Sequence, residues 1–182
     1  MVDVSEKVPT KRTAVAEASV IVPPYVARLL TPYLVFEKTS RKHGPSAKIV
    51  DVATERKGAI AATATAAGLL AVKNTPLLIP CCHPLLIDKA DVTVRYDSVR
   101  RARGLSAALL SRVVVTCQVS TTHVTGVEME ALTGATVSAL VVYDMLKSIP
   151  FAQQRGLRLG QARVVLKTGG KSDSSVRRRY SK

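Results

Sequence analysis

Leu132, Thr136, Ala139, Leu140, Tyr143 and Leu146 recur three or four residues apart, a spacing that predicts a helix over 126–147 with one face on a core. Thr125 and Glu128 have the Thr-x-x-Glu form of a capping box, which places the helix start near Gly126. At about 100° per residue, Glu130, Asp144 and Lys147 share a second, polar sector, and Asp144 and Lys147 are close enough along the helix to touch. A rise of about 1.5 Å per residue puts Glu130 and Asp144 roughly 21 Å apart on one straight helix. One small pocket uses both only if Val127–Glu130 is partly extended, or if a second subunit brings its own Glu128–Glu130 to this Asp144–Lys147. The subunit-interface arrangement is the one we favour. The plain alternative is an acidic helix start with an ordinary surface Asp–Lys pair.

Elsewhere a two-residue alternation dominates. Val92, Val94 and Tyr96 alternate with Thr93 and Arg95; Val113, Val115, Cys117 and Val119 follow suit; Ala162, Val164 and Leu166 do the same within Gly160–Lys167, which Gly169-Gly170 ends. Ser19–Val22 reads as a short strand closed by Pro23-Pro24, and residues 1–18, of mixed charge without sustained periodicity, as an extended arm. Tyr25–Val35 predicts a helix broken at Pro32. The Ala-rich run Lys57–Lys73 predicts a buried helix in which Gly58 and Gly68 allow a tight start and a close contact. Pro76, Pro80 and Pro84 stiffen P-L-L-I-P-C-C-H-P into a loop. Residues 37–48 and 98–112 read as basic loops, and 172–182 as a disordered basic tail. Strands separated by helices, with too few βαβ units for a doubly wound sheet, give an α+β class: a ferredoxin-like antiparallel sheet with helices packed on one face.

Composition narrows the role more than the fold. A chain of 182 residues with 47% hydrophobic content suits one domain, 1–182. Its net charge of +14, from 27 Lys and Arg against 13 Asp and Glu, points to a polyanionic partner: nucleic acid, an anionic membrane or a phosphorylated small molecule. With no Trp and two Phe there are few platforms on which single-stranded bases could stack, which weighs against nucleic acid. No apolar run approaches the roughly 18 residues of a membrane span, and the first residues lack the basic start of a signal peptide. Three cysteines supply no disulfide framework and favour a reducing compartment.

Candidate chemistry is sparse. Cys81-Cys82-His83 invites a zinc reading, but structural zinc sites space their ligands and need four, and only Cys117, His43 and His123 remain to complete one, so no metal is expected. A nucleophilic cysteine would need activating cations that no signature supplies. His83, held between prolines, suits a fixed proton donor or phosphate contact as well as it suits a satisfied loop histidine. Lys167-Thr168-Gly169-Gly170-Lys171 sets lysines beside backbone N–H groups able to converge on an anion, although it is no Walker A motif and serves equally as a flexible exit.

Five segments in order resemble the MoaC family of molybdenum cofactor biosynthesis. They are M-V-D-V-S with Thr10 and Arg12; K-G at 57–58 with A-G at 67–68 and Lys73; L-I-P-C-C-H-P at 78–84; G-V-E-M-E-A-L-T at 126–133 running to V-Y-D-M-L-K at 142–147; and K-T-G-G-K-S at 167–172. The resemblance implies a lyase that rearranges a cyclised dihydro-GTP, closing a cyclic phosphate on a pterin and releasing pyrophosphate. By matching position it makes Lys57, Asp144 and Lys147 the catalytic set. Arg12, Lys73, His83 and Lys167 become candidates for the triphosphate, Glu128, Met129 and Glu130 border the pterin end, and Cys82 joins the substrate-binding residues. Family members resembling this chain form hexamers of dimers with pockets between subunits, and the resemblance implies no cofactor.

Lys147, paired with Asp144, is expected to stay charged as a donor, while Lys57 takes protons. Ala59 stands where an Asp commonly follows Lys-Gly, and Thr65 where an Arg is common before Ala-Gly; if that Asp orients the lysine, Lys57 is held less firmly here. The implied location is the cytoplasm, or the mitochondrial matrix in a eukaryote. The rival expectation is a basic nucleic-acid-binding accessory protein that uses the tail and the 98–112 loop.

Overall fold

Small side chains decide where this chain packs most tightly. In the computed structural model, which describes residues 3–30, 34–36, 46–49, 53–54, 58–99, 110–170 and 174–175, the first long element is β1, Thr10–Val22. Ala14, Ala16, Ala18, Val20 and Val22 are buried on one of its sides, while Arg12, Thr13, Val15, Glu17 and Ile21 are only half-covered. The second half of the expected arm and the short strand after it are therefore one continuous strand. The alternation was present but written in alanine, whose low hydrophobicity hid it.

The chain continues through α1 (Pro24–Leu30), β2 (Leu34–Phe36), β3 (Ser46–Ile49), β4 (Ala53–Thr54), β5 (Gly58–Ala59), α2 (Ile60–Lys73) and α3 (Thr75–Leu78). It ends with β6 (Lys89–Val99), β7 (Leu110–His123), α4 (Glu128–Leu146), β8 (Arg158–Thr168) and β9 (Ser174–Ser175). The helix expected at 25–35 thus starts at Pro24, whose fixed φ suits a first turn, and stops before a strand at Leu34. The proline-framed loop begins with the short α3, which Pro76 enters in its first turn. Positions 37–45 and 100–109 of the expected basic loops, His43 among them, lie outside the described residues. Of the expected tail, Ser174–Ser175 pair with Leu166–Lys167, and the rest lies outside the described residues.

Four long antiparallel strands, β6-β7-β1-β8, form the middle of a sheet that β2 and β3 extend beyond β6 and β9 beyond β8. This is the expected α+β, ferredoxin-like arrangement. Helices α2 and α4 lie on the face bearing Val92, Val94, Val113, Val115, Cys117 and Val119. The opposite face carries a ladder of charge in which Arg95 reaches Glu17 at 3.2 Å and Asp97 at 3.4 Å, and Arg163 approaches Glu17 at 3.6 Å.

The seam between the two helices and the sheet is built on glycines. A Cβ at Gly68 would run into Ser138 Oγ, and one at Gly134 would lie 2.7 Å from both Cys117 Sγ and Val72 Cγ2. Such spacing leaves no room for a methyl group. It also corrects the expected core face of α4. Of the expected face, Ala139 and Leu146 are buried and Leu132 and Tyr143 pack against the core, whereas Thr136 is exposed and Leu140 is 51% exposed; Ala131, Gly134, Ala135, Ser138 and Val142 also face inward. Bulky residues fit only at the margins of so close a contact. The α4 helix has the length and mean hydropathy, 1.2, of a membrane span, and half of it is buried in this packing.

Candidate active site at the two ends of one helix

Helix α4 begins differently from the capping-box expectation. Val127 occupies the N-cap position and no side chain caps the first turn. The Glu128 carboxylate is engaged across the fold instead, 2.5 Å from Lys167 Nζ on β8. An ammonium offers the carboxylate a full opposite charge where a cap offers a backbone N–H, and the local motif yields to the distant cation.

Around this pair the chain gathers several of the expected substrate residues. Glu130 is 3% exposed; burial, and after it the charge of Glu128, raises its carboxyl above the ordinary carboxylate range. Burial first, and then the charge of Glu130, raise the Cys82 thiol. The loop that carries Cys82 and the half-buried His83 is stapled along β7. Thr121 Oγ1 donates to Leu86 O at 2.5 Å, Asp88 N to Ser120 O at 3.0 Å and Thr122 Oγ1 to Asp88 Oδ2 at 2.9 Å.

Arg12 reaches the same quarter from β1. Its Nε donates to His123 O at 2.8 Å, and a Cβ at Gly170 would lie 3.2 Å from its Nη1. Gly169 makes this approach possible: at φ +91° it takes a left-handed conformation against Lys11, while Thr10 Oγ1 donates to its carbonyl at 2.8 Å. Helix α2 runs antiparallel to α4, since Ser138 Oγ donates to Ala64 O at 2.8 Å and Val72 packs at Gly134. Lys73, exposed at the end of α2, therefore stands at the same end as Glu130. Met129, 39% exposed, adjoins them.

The remaining candidates lie at the other end. Lys147 Nζ is 2.7 Å from Asp144 Oδ1, with the two side chains 46% and 49% exposed. The hydrogen bond to Asp144, and then its charge, raises the Lys147 ammonium above the ordinary lysine value. Thr63, Leu140, Tyr143 and Met145 join this pair in lining a cavity of about 670 Å³. Thr63 Oγ1 also donates to Ala59 O at 2.8 Å, so the residue found where the family commonly has Asp offers only a backbone carbonyl to the first turn of α2. Lys57 lies outside the described residues. Because α4 is one unbroken helix from Glu128 to Leu146, Glu130 and Asp144 are separated by roughly 21 Å at about 1.5 Å per residue. The partly extended alternative for Val127–Glu130 is thereby removed.

His123 was passed over as a substrate residue. Its carbonyl holds Arg12, and its Nδ1 is buried without a hydrogen-bond partner. Only its place at the strand end, just before Val-Thr-Gly, hinted at this in the sequence. Among the described residues no group of three or more His, Cys, Asp or Glu is placed to hold a metal ion.

A half-exposed Asp–Lys pair beside a cavity at one end of α4 and a cation–carboxylate cluster at the other make up the candidate active site. The chain belongs to the MoaC family, whose family model matches residues 1–170. It is similar to the cyclic pyranopterin monophosphate synthase of Staphylococcus epidermidis, with 38% identity over 172 residues covering 94% of this chain and 87% of the relative. The synthase of Staphylococcus aureus is 39% identical over 94% of this chain and 86% of its own length, and that of Methylobacterium nodulans 38% over the same shares. A nucleic-acid-binding accessory role finds no support in these relatives.

Proposed function

We propose that this chain is a cyclic pyranopterin monophosphate synthase: a lyase of molybdenum cofactor biosynthesis that converts cyclised dihydro-GTP, (8S)-3',8-cyclo-7,8-dihydroguanosine 5'-triphosphate, to the cyclic pyranopterin with release of pyrophosphate. The observation that carries this reading is identity of 38–39% to such synthases over 94% of the chain. The site's chemistry agrees with it. Converging cations suit a triphosphate of about four negative charges, and positioned charge supplies much of the catalysis in phosphate chemistry.

In this reading Lys147, kept protonated by Asp144, donates a proton, and Lys57 accepts one. Arg12, Lys73, His83 and Lys167 take the triphosphate, while Cys82, Glu128, Met129 and Glu130 border the pterin. The two ends of α4 are too far apart for one compact substrate, so each site draws the Glu128 end from one subunit and the Asp144 end from another. A shared site needs at least a dimer, and the family resemblance extends it to a hexamer built as a trimer of dimers. Its setting is the cytoplasm, or the matrix in a eukaryote, in keeping with the free thiols Cys81, Cys82 and Cys117.

The test supplies the cyclised dihydro-GTP and follows pyrophosphate and cyclic pyranopterin together. The wild-type chain is expected to form both, and Lys147→Ala to lose about 10²–10⁴-fold in rate, the range for removal of a positioned proton donor. Absence of product from the wild-type chain, or full activity in Lys147→Ala, would overturn the assignment.

A further inference from the structure

Lys167 does not meet its ligand as a bare charge. Its Nζ lies 2.5 Å from Glu128 Oε1, with the two side chains 30% and 26% exposed, and the Glu128 carboxylate folds back over Gly126, where a Cβ would collide with it. The carboxylate thus sits across an uncapped helix start, on the cation that the proposed function assigns to phosphate. A second carboxylate, Glu130, is buried behind it. Any anion that reaches Lys167 competes with a negative charge already in place.

We infer that Glu128 is a specificity-determining residue that competes with phosphate for Lys167, so that Lys167 is released to a polyphosphate and withheld from small anions of lower charge. The reasoning is an exchange. A monoanion that replaces Glu128 trades one ion pair for another and gains little. A polyphosphate brings further charge, which Arg12 on the neighbouring strand can meet, so its exchange is favourable. The displaced carboxylate is left beside Glu130 without its cation, which weakens the bound state and favours departure of the pyrophosphate product.

The inference rests on the reading of Lys167 as a phosphate ligand, and one calorimetric experiment separates the two. Metal-free sodium pyrophosphate and inorganic phosphate are titrated into the full chain and into Glu128→Gln, Lys167→Ala and the double variant, with circular dichroism confirming that each is folded. Glu128→Gln is expected to tighten pyrophosphate about three- to tenfold and inorganic phosphate by at least as much, so that the preference for pyrophosphate narrows. Lys167→Ala should weaken pyrophosphate and make the Glu128 substitution silent. If Lys167→Ala weakens binding while Glu128→Gln leaves it unchanged or weaker, the inference fails and the phosphate reading stands. If Lys167→Ala leaves pyrophosphate binding unchanged, both fall.

Discussion

Both ends of α4 close a carboxylate on a lysine, yet the two pairs are built differently. Asp144 and Lys147 are neighbours on one helix turn, half exposed, at the rim of a cavity. Glu128 and Lys167 join a helix to a strand, are more covered, and stand in front of the buried Glu130. The first pair can open without disturbing packing, which leaves it available for proton transfer. The second ties β8 to α4, so whatever binds there acts on a structural contact as well.

The comparison breaks most visibly if the two ends never meet. Lys147→Ala and Lys167→Ala chains, each nearly inactive alone, are expected to recover activity when unfolded and refolded together, because a mixed dimer holds one site with both ends intact. For random pairing of two-fold related chains that is about a quarter of the sites. A mixture as inactive as its parts would locate both ends in one chain's site.

A smaller effect sharpens the role of the seam that fixes the distance between the ends. In Gly134→Ala the new methyl would meet Cys117 Sγ and Val72 Cγ2 at 2.7 Å. The expected cost is about 1–3 kcal/mol, read as a lower Tm in thermal unfolding. An unchanged Tm would mean that α4 can lift from the sheet freely.

The smallest expected effect concerns charge at the buried end. The folded-state carboxyl of Glu130 is raised, so its stabilising contribution is present below the ordinary glutamate range and is lost as pH rises through the raised value. Glu130→Gln should therefore increase Tm at neutral pH, with the gain shrinking toward pH 4.5, where the native glutamate is itself protonated. Asp144→Asn, half exposed, should change stability by less than about 0.5 kcal/mol at either pH. A pH-independent gain in Glu130→Gln would show that packing rather than charge is responsible.

Much of the architecture was legible in the sequence, and the failures share a cause. Strands β6 and β7 announced themselves because their inward positions are valines, whereas β1 places alanines inward and Lys11, Arg12 and Glu17 among the rest, so it looked like an arm. The core face of α4 was only partly legible, with Thr136 and Leu140 wrongly included, because periodicity weights bulk, and a close three-way packing selects glycine, alanine and serine. Thr125 and Glu128 matched a capping box letter for letter, but the partner that claimed Glu128 lies on a strand much later in the chain. The candidate site was legible through its motifs, and its division between two helix ends through length alone. The setting of His123 was not, since it depends on a guanidinium arriving from β1.

The position of β1 constrains how the protein is made. This strand leaves the ribosome well before its pairing partners, β7 and β8, and Val15 finds Leu166 only after α1 to α4 have followed it. Sheet closure is therefore a late event dominated by contacts distant in sequence, which sets a slow pace for folding. Until β8 emerges, the nascent chain carries an unsatisfied strand edge that must be kept from pairing with its neighbours.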